Sequence, residues 1–593
     1  MTFEIAIVLV VIGAAVVLFI TEKLSIDLVA LLAVTALVFT RVLTPEEAVS
    51  GFSNQATVTI GAMFVLSAGL ARTGLLEAFG GVVARLAKRD LRLATLATMA
   101  VAAVASAFVN NTAIVVILLP IVLVACRQAG AHPGQMLMPL SFATVMGGCC
   151  TLIGTSTSLV VDSIVQQSGL PPIGMFEFSA MGLIFLLVGM LYLATVGLKL
   201  LPRREDPGGL TGSFGLARYL VEAKVRTGSP LEGRDLAGSP LVKEADLTVL
   251  QVARHQGDVF VVPKAHTVLR AGDVLQLRAD LAQIQKLSGQ LGIDLLNKRM
   301  LNDADLESER GVLIEAVVPP RSPLAGRSLR EARFRHNFDA NVLAIRHLGE
   351  QVHERLADLE LQSGDVLLLE LRREGLADLE ASGALVLLSE VTHLHRPNAR
   401  SAVAFAIMCG VVVAAAAGIV PIVAGSVLGA VLMVVTGCLR LDEAYQAVEW
   451  KVLVMLAGLF SLGVALQKSG ADQLLAGSLV GSLGDFGPVV LLSALYLVTS
   501  LLTEVMSNNA AVALLTPIAL STAEAAGAEP RAFIMAVLFA ASNSFMTPIG
   551  YQTNTLVYGP GQYSFKDFLK VGTPINLMFW LLATLLLPWF WPF

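Results

Sequence analysis

Charge is spread so unevenly along this 593-residue chain that its distribution constrains the architecture before any motif is considered. Of the 87 Asp, Glu, Lys and Arg residues, 54 lie between Arg203 and Arg400, and the other 395 residues share 33. A helix needs about 20 apolar residues to cross a bilayer. Runs of that kind occur at 4–21, 25–41, 55–71 and 179–201 before the charged segment, and at 401–418, 422–438, 450–467 and 570–590 after it. With hydrophobic residues at 55%, a water-soluble protein of this size is excluded. Two membrane blocks flanking one soluble block are expected. The run from Phe3 to Ile20 lacks a basic leader and is followed by further spans, so it reads as a first span rather than a signal peptide. Cys126, Cys149, Cys150, Cys409 and Cys438 sit in apolar runs without disulfide or zinc spacing. A net charge of −5 without a basic stripe argues against nucleic acid as a partner.

The two membrane blocks repeat one another. Leu70-Ala71-Arg72-Thr73-Gly74 corresponds to Leu466-Gln467-Lys468-Ser469-Gly470. Val109-Asn110-Asn111-Thr112-Ala113 with Pro120 corresponds to Met506-Ser507-Asn508-Asn509-Ala510 with Pro517. Ile153-Gly154 matches Ile549-Gly550, and Phe178 with Gly182 matches Phe568 with Gly572. Each half reads as three spans, an amphipathic connector (72–92 and 468–485), a polar-tipped hairpin, a broken span and a last span. Five crossings per half invert the second copy. With both termini outside and the insert in the cytoplasm, twelve of fifteen Lys and Arg positions near span ends satisfy the positive-inside rule, with Arg41, Lys468 and Arg531 outside. The insert carries its own repeat. Ser229-Pro230-Leu231 matches Ser322-Pro323-Leu324, Val252-Ala253-Arg254 matches Ala344-Ile345-Arg346, and Gly272-Asp273 matches Gly364-Asp365. Alternating Val/Leu runs ending at Gly-Asp turns read as strands. The expected fold is therefore an all-α polytopic membrane protein of two inverted repeats with re-entrant hairpins, plus a soluble α+β insert. Its divisions are 1–202, 203–300, 301–400 and 401–593.

The hairpin tips carry the chemistry. An unwound turn within the membrane persists only where protein or a watery cavity satisfies its backbone. Asn at the tip caps the following half-helix, and the helix N-terminus directs about half a positive charge outward. Tip carbonyls and side-chain oxygens can ligate a small cation, so one architecture holds an anion and its coupling ion. Segments 93–126, 136–165, 488–523 and 533–562 contain no Lys or Arg, and only Asp162 and Glu504 are charged there. A helix dipole contributes about 0.3–1 kcal/mol, up to ~2 when partly buried. Desolvating an ion costs several kcal/mol, so co-bound cations are the remedy. Ser106 and Thr503, a repeat-matched pair one helical turn before the tips, are candidate cation ligands. The alternative for the tip Asn residues is helix-to-helix bonding. Glu504 is either a proton or cation site or a carboxylate bonded to nearby backbone. Asp162 is expected at a polar loop or the outer vestibule rather than at the substrate.

These motifs resemble those of the divalent anion:sodium symporter family, on Asn110-Asn111-Thr112, Ser507-Asn508-Asn509 and the stretch Thr547-Pro548-Ile549-Gly550-Tyr551-Gln552-Thr553-Asn554. The resemblance implies one sodium site at Ser106, Asn110, Asn111 and Gly154, and another at Thr503, Ser507, Asn508 and Gly550. It implies that Asn111, Thr112, Asn508, Asn509, Thr553 and Pro548 face the anion, in a homodimer working by elevator movement. Each tip has one Asn where the family has Ser or Thr, and Ser158 stands where an Asn is usual. The insert is similar to paired TrkA-C domains, regulatory modules that bind an unknown ligand here. No Gly-x-Gly-x-x-Gly fingerprint accompanies them. Together these readings give an inner-membrane, multi-pass, sodium-coupled carrier of a small divalent anion, sulfate before dicarboxylate. A channel gated by the insert is the alternative of another class. No nucleophile–base or metal-ligand set points to an enzyme.

Overall fold

In hydrocarbon a backbone amide has no water to bond, so apolar runs close their hydrogen bonds internally as helices. The computed structural model describes residues 3–21, 24, 26–71, 80–202, 220–236, 239, 248–254, 259–261, 267–278, 292–296, 311–320, 322–347, 350–352, 356–372, 375–388, 399–483 and 486–593. It divides into two units, residues 1–204 with 388–593, and residues 205–387.

The first unit is helical. Its first half runs α1 (Phe3–Thr21), α2 (Ile26–Phe39), α3 (Gln55–Ala71), α4 (Gly80–Arg89), α5 (Leu91–Ser106), α6 (Asn111–Ala129), α7 (Leu137–Gly148), α8 (Ser156–Gln167) and α9 (Ser179–Tyr192). The second half runs α10 (Ala399–Ala416), α11 (Ile422–Val435), α12 (Trp450–Ser469), α13 (Ala471–Leu483), α14 (Pro488–Thr503), α15 (Asn508–Ala525), α16 (Pro530–Ser542), α17 (Gln552–Tyr558) and α18 (Phe565–Phe590). Among the described residues, Asn111–Ala129, Ser179–Leu200, Trp450–Ser469 and Phe565–Phe590 are long and apolar enough to cross a membrane, and seven shorter apolar helices accompany them. At 16 residues each, α5 and α14 span about 24 Å, short of a hydrocarbon core about 30 Å thick.

The expected connector at 72–92 is not one continuous helix. Residues 72–79 lie outside the described part. The rest breaks at Asp90, whose carboxylate accepts the N–H groups of Arg92 and Leu93 and so caps α5 as a new helix. The second connector breaks at Gly470, which ends α12 with a φ of 75°. Lys468, one residue into that connector, pairs with Glu47 at 2.8 Å.

The matched glycines have a common structural reason. A Cβ on Gly182 would collide with the Cys149 carbonyl, and one on Gly572 with the Phe545 carbonyl. Each therefore lets a long helix press against the backbone where a broken span begins. Aromatic rings fill the space behind. Phe185 and Phe579 stack at 4.4 Å, Phe142 and Phe545 lie at 4.9 Å, and all four are fully buried. The broken segments are thus seated on rigid packing drawn from both halves of the chain.

The second unit holds two five-stranded antiparallel sheets. The first has order β3-β2-β4-β1-β5, with β1 Leu220–Val225, β2 Thr248–Arg254, β3 Val259–Val261, β4 Val274–Arg278 and β5 Ile293–Leu296. The second repeats that order as β8-β7-β9-β6-β10, with β6 Gly311–Val317, β7 Ala340–His347, β8 Glu350–Val352, β9 Val366–Arg372 and β10 Val386–Leu387. Strand register corrects one expected match. Val252 lies opposite Leu275, and its counterpart opposite Leu367 is Ile345. A bulge falls at the same place in each pair, between Val249 and Gln251 and between Val342 and Ala344. Arg254 therefore corresponds to His347, not Arg346.

That substitution changes the chemistry. Arg254 lies 3.5 Å from the buried Asp273, a guanidinium where the second sheet has an imidazole. His347 Nδ1 lies 2.9 Å from Asp365 Oδ2, which also accepts the Gln362 N–H. This hydrogen bond holds the imidazolium, so the His347 pKa rises above its ordinary value of 6.5, with burial acting the other way. A raised folded-state pKa stabilises the fold fully below the unfolded value, and that contribution is lost as pH rises through the folded value. Hydrogen exchange of the full chain, corrected for intrinsic rates, should show β7–β9 protection falling as pH rises above the ordinary imidazole value of 6.5. His347→Gln should flatten that slope, and the β2–β4 pair should show none.

Candidate ion and substrate site

The first tip begins where α5 stops at Ser106. Asn110 then caps α6, its side-chain oxygen accepting the Thr112 N–H at 2.9 Å. The Ser106 hydroxyl donates to Asn111 Oδ1, and Asn111 Nδ2 donates to the Tyr551 hydroxyl at 2.7 Å. The Thr112 hydroxyl donates to Gln552 Oε1 at 3.0 Å. Asn111 is buried, and Asn110 and Thr112 are half-buried. Gly148 lies against Asn111 so closely that a Cβ there would stand 2.7 Å from Oδ1 and 2.9 Å from Nδ2.

The second tip repeats this plan. The Thr503 hydroxyl donates to Asn508 Oδ1 at 2.6 Å, the same hydroxyl-to-amide pair as Ser106 and Asn111. Ser507 precedes α15 as its N-cap, and Ser507, Asn508 and Asn509 are half-buried. Asn509 reaches across to the other half. Its Nδ2 donates to Ser156 Oγ at 3.2 Å, and its Oδ1 accepts from the Thr157 hydroxyl at 3.3 Å. The tips therefore cross over: the first meets residues that follow the second break, and the second meets residues that follow the first.

Each break also ties back to its own tip. The Thr151 hydroxyl donates to the Ala107 carbonyl, and the Thr547 hydroxyl meets the Glu504 carbonyl at 2.9 Å. The chain is irregular between α7 and α8 and between α16 and α17, which frees carbonyls that a continuous helix would consume. Gly154 is needed there because a Cβ would collide with the Gly148 carbonyl. Gly550 packs beside Ser544 and Thr547 in the same way.

The structure thus gathers Ser106, Asn110, Asn111, Thr112 and Gly154 around one tip, and Thr503, Ser507, Asn508, Asn509 and Gly550 around the other. Two more residues of the expected anion set belong to the second break and the helix after it. Thr553 is fully buried with its hydroxyl 2.8 Å from that of Ser141, and Pro548 is buried with its carbonyl accepting from Thr555. Asp162 braces a loop, accepting the Ile173 N–H at 2.6 Å and the Gln166 amide at 2.8 Å. Glu504 bonds to backbone, accepting the N–H groups of Phe545, Met546 and Thr547. Sequence reasoning missed Ser141 and Asn576, which reach Asn554 and Glu504. Their signal was a polar side chain within a largely apolar stretch of helix.

Among the described residues, no group of three or more His, Cys, Asp or Glu is placed to hold a metal ion. What the tips offer is hydroxyl, amide and carbonyl oxygen, the donor set of a hard cation. Arg531, the nearest basic residue in sequence to the second break, is held at 2.7 Å by Glu177 and also donates to the Pro171 and Pro172 carbonyls.

A family model described as "Citrate transporter" (CitMHS) matches residues 16–538. The chain belongs to this citrate transporter family. It is 38% identical over 594 aligned positions to an uncharacterized transporter of Synechocystis sp., covering 98% of this chain and 97% of that one. It is 31% identical to an uncharacterized transporter of Escherichia coli over the full length of both. It is 28% identical to sodium/sulfate cotransporter 1 of Chlamydomonas reinhardtii, over 62% of this chain and 43% of that one. The family membership and the apolar helices make the chain a multi-pass membrane transporter.

The close approach at Gly148 generates a direct test. Gly148→Ala forces Asn111 off Ser106 and Tyr551, an overpacking strain of about 1–3 kcal/mol. Thermal unfolding of the full chain should show that loss. Gly463→Ala, whose Cβ would meet only Pro517 at 4.0 Å, should show none.

Proposed function

We propose that the chain is a sodium-coupled symporter of a divalent oxyanion, with sulfate favoured. Its outer blocks act as two inverted repeats with re-entrant hairpins, and the tips carry cargo by an elevator movement within a homodimer. Sodium is held by Ser106, Asn110, Asn111 and Gly154 in one half and by Thr503, Ser507, Asn508 and Gly550 in the other. Asn111, Thr112, Asn508, Asn509, Thr553 and Pro548 face the anion. The charged segment serves as a cytoplasmic pair of TrkA-C-like regulatory modules, with both termini on the outer side of an inner membrane.

The observation that carries this reading is the crossed pairing of the tips. Asn111 reaches Tyr551 and Asn509 reaches Ser156, in segments that hold no Lys or Arg. An anion there is met by helix N-termini, amides and hydroxyls, so its charge is balanced by ions that arrive with it. The names of the Chlamydomonas relatives favour sulfate and sodium. A dicarboxylate carrier is the second reading, and the citrate description of the matching family favours a carboxylate, citrate itself being a tricarboxylate. A gated channel fits less well, because polarity is concentrated at two tips instead of lining a continuous path.

Uptake of labelled sulfate and of succinate into proteoliposomes, with sodium and pH gradients varied separately, tests this. Sodium should drive uptake and a proton gradient alone should not. Asn111→Ala and Asn508→Ala should each reduce transport by at least about 100-fold, the larger end of the cost of losing a site ligand's partner, with normal folding by gel filtration. Unchanged transport in both variants defeats the assignment.

A further inference from the structure

Three side-chain bonds stand apart from the tips and share one end of the helices. Ser163, late in α8, donates its hydroxyl to Asn54 Oδ1 at 2.7 Å, just ahead of α3. Ser168, which follows α8, accepts the Gln467 amide near the end of α12 at 3.1 Å. Ser521, late in α15, donates to Asp472 at the start of α13 at 2.7 Å, and both are buried. The Lys468–Glu47 pair joins the end of α12 to the approach to α3. All three bonds therefore lie on one side, the outer one on the reading above.

The repeat does not reproduce them. Counted from Gly154 and Gly550, α17 ends at the position of Asp162, so Ser163 and Ser168 belong to a length of α8 that the second half lacks. Phe178 follows Gly154 by 24 positions, whereas Phe568 follows Gly550 by 18. Ala71 stands at the repeat position of Gln467, and Leu76 and Val124 stand at those of Asp472 and Ser521. The extra length is firmly held. Asp162 accepts the Ile173 N–H, and Arg531 on α16 donates to Glu177 and to the Pro171 and Pro172 carbonyls. Ser163 and Ser168 are thereby fixed to the breaks. When a carrier of two inverted repeats passes to its opposite state, each half takes up the other's arrangement. Contacts at one end give way to those of the repeat partners at the other, and for these bonds the partners are apolar or absent.

We propose that Ser163–Asn54, Ser168–Gln467 and Ser521–Asp472 form a latch that opens in every transport cycle and holds the empty carrier in the state seen here. This rests on the elevator reading above and deepens it. The approach to α3, the end of α12 and the connector α13 are the fixed side of the latch. The extended α8 and the hairpin helix α15 are the moving side. Because the opposite state has no equivalent bonds, the resting equilibrium is biased towards this one, and cargo moves it only by binding the two states unequally.

The test bridges Gln467 to Ser168. The full chain carrying Gln467→Cys and Ser168→Cys is reconstituted in proteoliposomes, treated with a short bifunctional thiosulfonate and later reduced. Each cysteine alone serves as control, since native Cys126, Cys149, Cys150 and Cys438 are buried and Cys409 half-buried. Sodium-driven uptake should stop on bridging and return on reduction, with the single variants unaffected. The bias is read separately from Ser163→Cys, at a position 3% exposed in this state, whose thiol labelling reports how often the latch opens. Adding Asp472→Leu and Ser521→Val, the residues of the first half, should speed that labelling about two- to tenfold, the effect of losing one hydrogen bond. Ser521→Ala replaces those two changes if they prevent folding. Uptake that survives complete bridging overturns the latch, and an unchanged labelling rate overturns the bias; both leave the symporter reading standing. A wild-type protein without sodium-driven uptake overturns that reading, and this inference with it.

Discussion

A doubly charged solute is stable in a low-dielectric interior only if something there replaces its water, and the segments that form the tips and breaks here contain no Lys or Arg. Idealised desolvation of a single ion costs of order 20 kcal/mol, with several remaining after the protein relaxes. Helix N-termini and side-chain amides recover part of this, each contribution being about a kilocalorie per mole. On the proposed reading, the shortfall makes the anion's binding conditional on cations. Coupling between the two then requires no moving part, because each lowers the cost of holding the other.

The packing serves that arrangement. Two irregular segments inside a membrane protein leave backbone groups that must be met from elsewhere. Here they are met by the opposite half's tip and by their own, with Gly148, Gly154 and Gly550 allowing contacts that any Cβ would block. Phe185 and Phe579, one from each half, stack behind the breaks at 4.4 Å. A single change in this region therefore acts on both tips at once.

Much of this was legible in the sequence, and the reasons are local. Asn110 announces a helix start through capping chemistry, and the structure places α6 one residue later. Pairs such as Gly182 and Gly572 stood out because close backbone approach tolerates no other residue. The crossed contacts of Thr112 with Gln552 and Asn509 with Ser156 were not legible, since they join residues about 350 to 440 positions apart. The break at Asp90 was hidden because the basic, amphipathic pattern continues on either side of it. The insert shows the opposite failure. Its repeat was visible, but a shift of one residue along β7 concealed that His347, not Arg346, takes the place of Arg254.

The central claim is that the anion's affinity depends on sodium. Equilibrium binding of labelled sulfate and succinate to the purified full chain, in sodium or in choline at equal ionic strength, measures it without any transport step. For whichever anion binds, the account predicts saturable binding in sodium that weakens at least about tenfold in choline. Equal affinity in both salts would contradict it.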